Sequence, residues 1–319
     1  MHFKDFFIYM LFLLTACLSS RAQTVTPSPE TGVTPSTLLL YRADLIPGKE
    51  AVYAQTEAEI VRGYANAKIS AYWLALQAIT SSPHVLYFDG FDSFAAIEQT
   101  GTNMAEGLNT HPKLASLQQK LQEYVSATRT VMAFRRDDLG YRLNKIELAK
   151  ARFVRISILQ FRPGYEEEFA NAVRARARIY ETNDIETPSM IYQVHSGLLL
   201  PTFIEFQPMN SLSEIDDALD RSKKSRDVSG DGHQLPAQQW MKDAELSIEI
   251  QIYNVSLPMS HLSEQAAAVA ATPGLPACGQ NAEAAVRSAK YPKPPSSCFV
   301  RIPPRRAAAT MVDDESRRE

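Results

Sequence analysis

Leu86-Tyr87-Phe88-Asp89-Gly90-Phe91-Asp92-Ser93-Phe94 is answered, 118 positions later, by Ile204-Glu205-Phe206-Gln207-Pro208-Met209-Asn210-Ser211-Leu212. Each stretch is an apolar strand pattern that breaks into a polar turn and reaches a serine with helix-capping chemistry. Upstream of both, a Pro-Gly pair (Pro47-Gly48 and Pro163-Gly164) follows a short apolar strand and opens a helix carrying Glu50 or Glu166. Within those helices Tyr53 answers Phe169 and Tyr64 answers Tyr180, now 116 positions apart, so the second copy gained two residues in between. Leu38 to Phe94 therefore returns as Val154 to Leu212. This repeat decides the fold and carries no reaction motif.

Taken in order, Thr37 to Ala43 reads as a strand, and Lys49 to Lys68 as a helix with Tyr53, Ile60 and Tyr64 on one face. Ser70 to Ile79 and His84 to Phe91 are strands joined by the turn Thr80-Ser81-Ser82-Pro83. Asp92 or Ser93 caps a short helix, SFAAIEQ. A polar Gly/Asn segment with His111-Pro112 follows, then a helix from Leu114 to Tyr124 and a strand from Val125 to Phe134. The second half repeats the order: strand Phe153 to Phe161, helix Tyr165 to Thr182, hairpin Ser189 to Ser196 and Thr202 to Phe206. Ser211 and Glu214 have capping-box spacing at the next helix, and Leu246 to Val255 alternates as a half-buried strand. The class is α+β, a βαββαβ order used twice, over 37–134 and 153–258, with a charged connector at 135–152.

A four-stranded antiparallel sheet with helices on one face leaves the other face bare. Tyr72, Leu74 and Leu76, with Ile156, Ile158, Ile191 and Phe206, are too apolar to leave two such faces in water. Packing the two sheets together closes one intramolecular α/β barrel, a pseudo-dimer within a monomer, with space between the sheets for a small ligand.

Composition sets the outer bounds. The 319 residues carry a net charge of -3, which gives no general attraction to nucleic acid or anionic membrane. Phe6 to Leu14 is an apolar run of signal-peptide length, too short for a membrane span, and no second segment approaches that length. Residues 1–22 read as a signal peptide cleaved after Ser20-Arg21-Ala22, giving a periplasmic or secreted protein. The alternative is a lipobox, Leu14-Thr15-Ala16-Cys17, with the protein anchored through Cys17. A Pro/Thr/Ser linker fills 23–36. From 259 to 319 the chain is Ala- and Pro-rich and reads as an extended tail. Either processing route leaves Cys278 and Cys298 as the one pair, and an oxidising compartment allows the disulfide that would pin this tail.

The strand–Pro-Gly–helix openings and the doubled order resemble the dimeric α/β-barrel superfamily, the ferredoxin-like units of antibiotic-biosynthesis monooxygenases and stress-responsive barrels. The chain also resembles exported bacterial proteins of this layout, a likeness that implies no activity. In the superfamily two such units pair their sheets as a homodimer, so the resemblance implies a barrel closed by the duplication. Haem-degrading members use a helical His with a nearby Asn and an aromatic. His111, with Asn109 and Trp73, is where that arrangement would fall, although a His before Pro belongs more naturally to a loop.

Several residues stand out for chemistry. His195, beside Tyr192, and His84, before Tyr87, are candidate proton acceptors if they face the barrel, with Asp89 and Glu205 on neighbouring strands. Trp73, Tyr87, Tyr192 and His111 are candidate ligand contacts. Asp227 to Gly232 opens like a calcium loop but has Gln238 where the bidentate acid belongs, so no metal is expected. Arg174, Arg176 and Arg178, with Arg152, Arg155 and Arg162, read as an ion-paired helix face; aromatics are not interleaved as a nucleic-acid groove requires. No GxSxG, Walker, dinucleotide or HExxH motif occurs. Two functions stay open: a non-catalytic module that binds a small apolar or aromatic molecule or an envelope partner, without cofactor, and a monooxygenase-like enzyme, cofactor-free or haem-dependent. Polarity inside the barrel separates them.

Overall fold

Strand β1 (Thr37–Leu45) is apolar on both faces because both are covered: Leu38 and Leu40 join one core, Ala43 and Leu45 another. The same double cover explains the near-continuous apolar runs of the other central strands. The computed structural model describes residues 35–229 and 243–271. After β1 come helix α1 (Glu50–Ala67), strands β2 (Leu74–Ala78) and β3 (His84–Phe91), helices α2 (Phe94–Thr110) and α3 (Pro112–Gln122), and β4 (Val125–Arg135). The second unit has β5 (Phe153–Phe161), α4 (Glu166–Thr182), β6 (Met190–Ser196), β7 (Thr202–Met209), α5 (Ser213–Ser229) and β8 (Glu245–Val255). Helix α6 (Glu264–Ala271) closes the described chain.

The eight strands form a closed antiparallel barrel in the order β1-β3-β2-β8-β5-β7-β6-β4. Each unit supplies one four-stranded sheet. The seams are short: β2 meets β8 over Leu76–Ala78, and β4 meets β6 over Met132–Arg135. Both Pro-Gly openings do the same work. Gly48 (φ +82°) and Gly164 (φ +95°) take the left-handed conformation that a β-carbon disfavours, and the helix starts two residues later. Half of the predicted capping box is present: Glu214 Oε1 accepts from the Ser211 amide at 3.2 Å and the Asn210 amide at 2.7 Å, while Ser211 Oγ accepts from the Ser213 amide instead of the Glu214 amide.

Three expectations are corrected. Helix α2 does not stop after SFAAIEQ but runs to Thr110. Ser93 caps it by accepting from the Ala96 amide, and Thr102 and Thr110 hydroxyls bond back to carbonyls within the helix. None of its side chains is fully buried, and Gly101, Asn103, Gly107 and Asn109 give its second half the composition of a loop. The chain beyond Pro258 is not extended tail throughout. Met259 and His261 are buried, and Trp73 and His261 exchange backbone hydrogen bonds of 2.8 and 3.0 Å. Finally, Ile191 lies outside the barrel beneath α4, and Tyr72 is exposed against His261. The Cys278–Cys298 pair, the signal segment and Gly230 to Gly232 lie outside the described residues. Asp227 to Ser229 belong to α5. No helix among the described residues is long and apolar enough to cross a membrane.

Candidate functional site

Strand alternation sends Leu86, Phe88, Tyr192 and Phe206 into the barrel. There Phe88, Tyr192 and Phe206 meet edge to face at 5.3 to 6.1 Å, and Leu38, Leu76 and Ile156 fill the remaining space. Tyr192 donates its hydroxyl to the Pro35 carbonyl at 2.8 Å, so its one polar group is satisfied. The space expected between the sheets is a packed core.

Polar groups gather at one mouth, where β1, β3, β4 and β8 turn polar side chains to the same side as the core. His84 is buried; its Nδ1 meets the Ser82 carbonyl at 2.7 Å, which makes Nε2 the acceptor facing the Tyr253 hydroxyl at 2.8 Å. Burial lowers the His84 pKa, so the neutral ring persists at neutral pH. Gln251 lies beside the Tyr253 hydroxyl and donates its amide to Glu249, and Arg42 pairs with Asp44 at 2.8 Å. A cavity of about 40 Å³ lies against this group, lined by Arg42, Arg129, Gln251 and Tyr253 over a floor of Leu40, Leu86, Ile156 and Ile204.

A second polar group lies outside the barrel, between α1 and its sheet. Glu57 is 4% exposed and shares this layer with Tyr53, Tyr87 and Trp73. The Tyr53 and Tyr87 hydroxyls are 2.7 Å apart. Burial pushes the Glu57 carboxyl up to about 8; the Tyr87 hydroxyl opposes the rise and nearby Asp89 adds to it. Asp89 also rises to about 8 through burial, and its Oδ1 is buried without a hydrogen-bond partner among the described residues. Burial likewise raises the Tyr53 and Tyr87 phenols, so this layer is uncharged at neutral pH. Glu57 was not singled out from the sequence. Its signal was present: a glutamate at i+4 from Tyr53 and i−3 from Ile60, in the middle of the apolar face of α1.

The remaining candidates are dispersed. His195 turns outward, is exposed and rests against Phe94 at 5.4 Å. His111 lines an open groove between α1 and α3 with Gly63 and Leu114, its Nδ1 bonded to the Gly107 carbonyl at 2.8 Å. Trp73 lies under α1, donating to the Met259 carbonyl at 2.8 Å, and Asn109 is exposed. The structure does not bring His111, Asn109 and Trp73 together as a haem set. His261, also unremarked in sequence, sits among Tyr64, Tyr72 and Trp73, its Nδ1 bonded to the Ala71 carbonyl at 2.5 Å. Of the arginines, Arg174 is ion-paired with Glu167 and Asp138 as expected, whereas Arg176 turns inward onto buried Glu205. No group of three or more His, Cys, Asp or Glu side chains suited to a metal occurs among the described residues.

No protein-family model matches the sequence, and no curated protein matches it. Among solved structures, the chain is similar to a monooxygenase candidate from Fusobacterium nucleatum, with 13% identity over 70% of this chain and 93% of that one, TM-score 0.45. It is also similar to an anthrone oxidase-like protein, with 14% identity over 69% and 90%, TM-score 0.46. A mutant chlorite dismutase from Candidatus Nitrospira defluvii shares 8% identity over 74% and 95%, TM-score 0.42. The fold rests on this chain's own strand order and doubled βαββαβ units. It is the dimeric α/β-barrel fold. The duplication closes the barrel within one chain.

Proposed function

We propose that this protein is an exported, non-catalytic binding module. The observation that carries the reading is the packed barrel: aromatic and aliphatic side chains occupy the space between the sheets, and about 40 Å³ is left at one mouth. A dry cavity that admits benzene measures about 150 Å³, so neither an aromatic substrate nor haem fits between these sheets. The polar groups that could move protons do not converge on a substrate space. His84 is consumed by its own hydrogen bonds, His195 is on the surface, and half-buried Asp89 turns to the far side of the sheet from the core, near Glu57 of α1. Export is supported by the N-terminal apolar run and its small-x-small site.

The test is titration of the purified chain with haem and with a panel of hydroxylated aromatics, followed by absorption spectra, thermal shift and oxygen uptake. The expected result is no Soret shift, no stabilisation and no oxygen consumption. A stoichiometric haem band, or oxygen uptake lost in His84→Ala, would overturn the reading in favour of monooxygenase-like chemistry.

A further inference from the structure

The cavity at the barrel mouth lies where the two units meet, and its lining pairs up through the duplication. Leu40 and Ile156 are equivalent positions, as are Leu86 and Ile204, and all four form the floor. On the rim the duplication has diverged: Arg42 corresponds to Ile158 and Arg129 to Glu249. The pocket therefore has an apolar floor shared by both units and a rim whose cations come from the first unit alone.

Arg42 and Arg129 are direct register partners on β1 and β4 and turn to the same side. Like charges set opposite one another across a strand pair repel, and a counter-anion relieves that repulsion. Asp44 neutralises Arg42 at 2.8 Å. Arg129 makes no hydrogen bond or ion pair among the described residues. Glu249, the acid on the rim, already accepts from the Gln251 amide. That leaves a guanidinium with five donors at the entrance of an apolar hollow.

We infer that this mouth binds a small monocarboxylate, with its carboxylate on Arg129 and a short aliphatic tail on Leu40, Leu86, Ile156 and Ile204. Guanidinium and carboxylate match as a two-point hydrogen-bonded pair, which selects a carboxylate over a spherical anion. A cavity of this size holds about three water-sized groups, so a tail of about two to four carbons fits. Tyr253, whose hydroxyl faces His84, and Gln251 beside it give the walls a polar side. No covalent step is involved. The inference rests on the reading of the chain as a binding module and names its ligand class.

Butyrate is the probe, with chloride at equal ionic strength and n-butylamine as controls, read by calorimetry and amide NMR shifts on the full chain. Binding of butyrate with shifts confined to the pocket lining, and no response to n-butylamine, is expected. Arg129→Gln should weaken it by on the order of tenfold, with Arg129→Lys intermediate. Arg129 is exposed, so both variants keep the fold, which the unfolding curve checks. No butyrate response by folded protein, equal binding by Arg129→Gln, or an equal response to n-butylamine would each overturn the inference. Butyrate binding is read on the Arg129 variants and haem or oxygen chemistry on the parent and His84→Ala, so the two readings fail separately.

Discussion

The two units bury polar side chains at matching places beneath their first helices and neutralise them in opposite ways. Under α4, Glu205 and Gln207 occupy the positions that Tyr87 and Asp89 hold under α1. Arg176 grips Glu205 through both guanidinium nitrogens, Gln207 donates to the same carboxylate at 3.4 Å, and Arg155 donates to Gln207 at 3.0 Å. Under α1, Ile60 stands at the place of Arg176, and buried Glu57 and half-buried Asp89 lie near tyrosines, with no cation paired to either among the described residues. One layer is neutralised by a counter-ion, the other by protons. The difference shows that a duplicated backbone tolerates a polar layer between helix and sheet if its charge is removed, and that the two ways of removing it respond to different conditions.

The comparison can be broken most sharply on the counter-ion side. Arg176→Met leaves Glu205 buried without its cation and should cost about 3 kcal/mol, below the upper range for wholly buried pairs because the arginine side chain is 35% exposed. The double variant Arg176→Met/Glu205→Gln should recover most of that loss in urea unfolding. A single variant as stable as the parent would mean that water, not Arg176, solvates Glu205.

The proton side predicts a pH profile. Glu57 and Asp89 hold their protons more tightly in the folded chain than unfolded, so their stabilisation is fully present below the ordinary carboxylate range and is lost as pH rises through about 8. Stability should fall by about 1 kcal/mol per pH unit for each group between roughly pH 5 and 8. Glu57→Gln and Asp89→Asn should each flatten that slope and leave the protein about 2 kcal/mol more stable than the parent at pH 9. Equal slopes for parent and variants in urea midpoints across this range would refute the protonated layer. Within it, Tyr87→Phe removes the Tyr53 bond and a partner of Glu57. It should cost about 1 kcal/mol and move the pH midpoint upward, because the hydroxyl holds the Glu57 pKa down.

The smallest effect separates the two helix starts that the repeat places in register. Ser93 caps α2 alone, whereas Ser211 at α5 is helped by Glu214. Ser93→Ala should cost about 1 kcal/mol, and Glu214→Ala about half that, by thermal unfolding.

Much of the architecture is legible in the amino-acid order. Strand β3 was read to its observed ends, and so was β5, because bounded apolar runs, Pro-Gly openings and caps are local signals carried by adjacent residues. Helix α2 reads short because Gly, Asn and Thr crowd its second half, where Met104 and Leu108 pack only partly against the core. The docked segment around Met259 and His261 was hidden because it is held by backbone pairing with Trp73, which leaves no periodic trace.

The amino-acid order by itself determined the doubled unit, its α+β class and the need for two sheets to cover each other. It also showed which strand residues share a face. Only the tertiary structure decided which face is the inside. Where helices cover one side of a strand and a second sheet the other, both faces are apolar and alternation alone cannot rank them, so Tyr192 turned inward while its neighbour Ile191 turned out. The same physics hid the polar layers. Asp89 and Glu57 are far apart in the chain, and whether a carboxyl meets an arginine, a tyrosine or a proton is settled when a helix lands on a sheet.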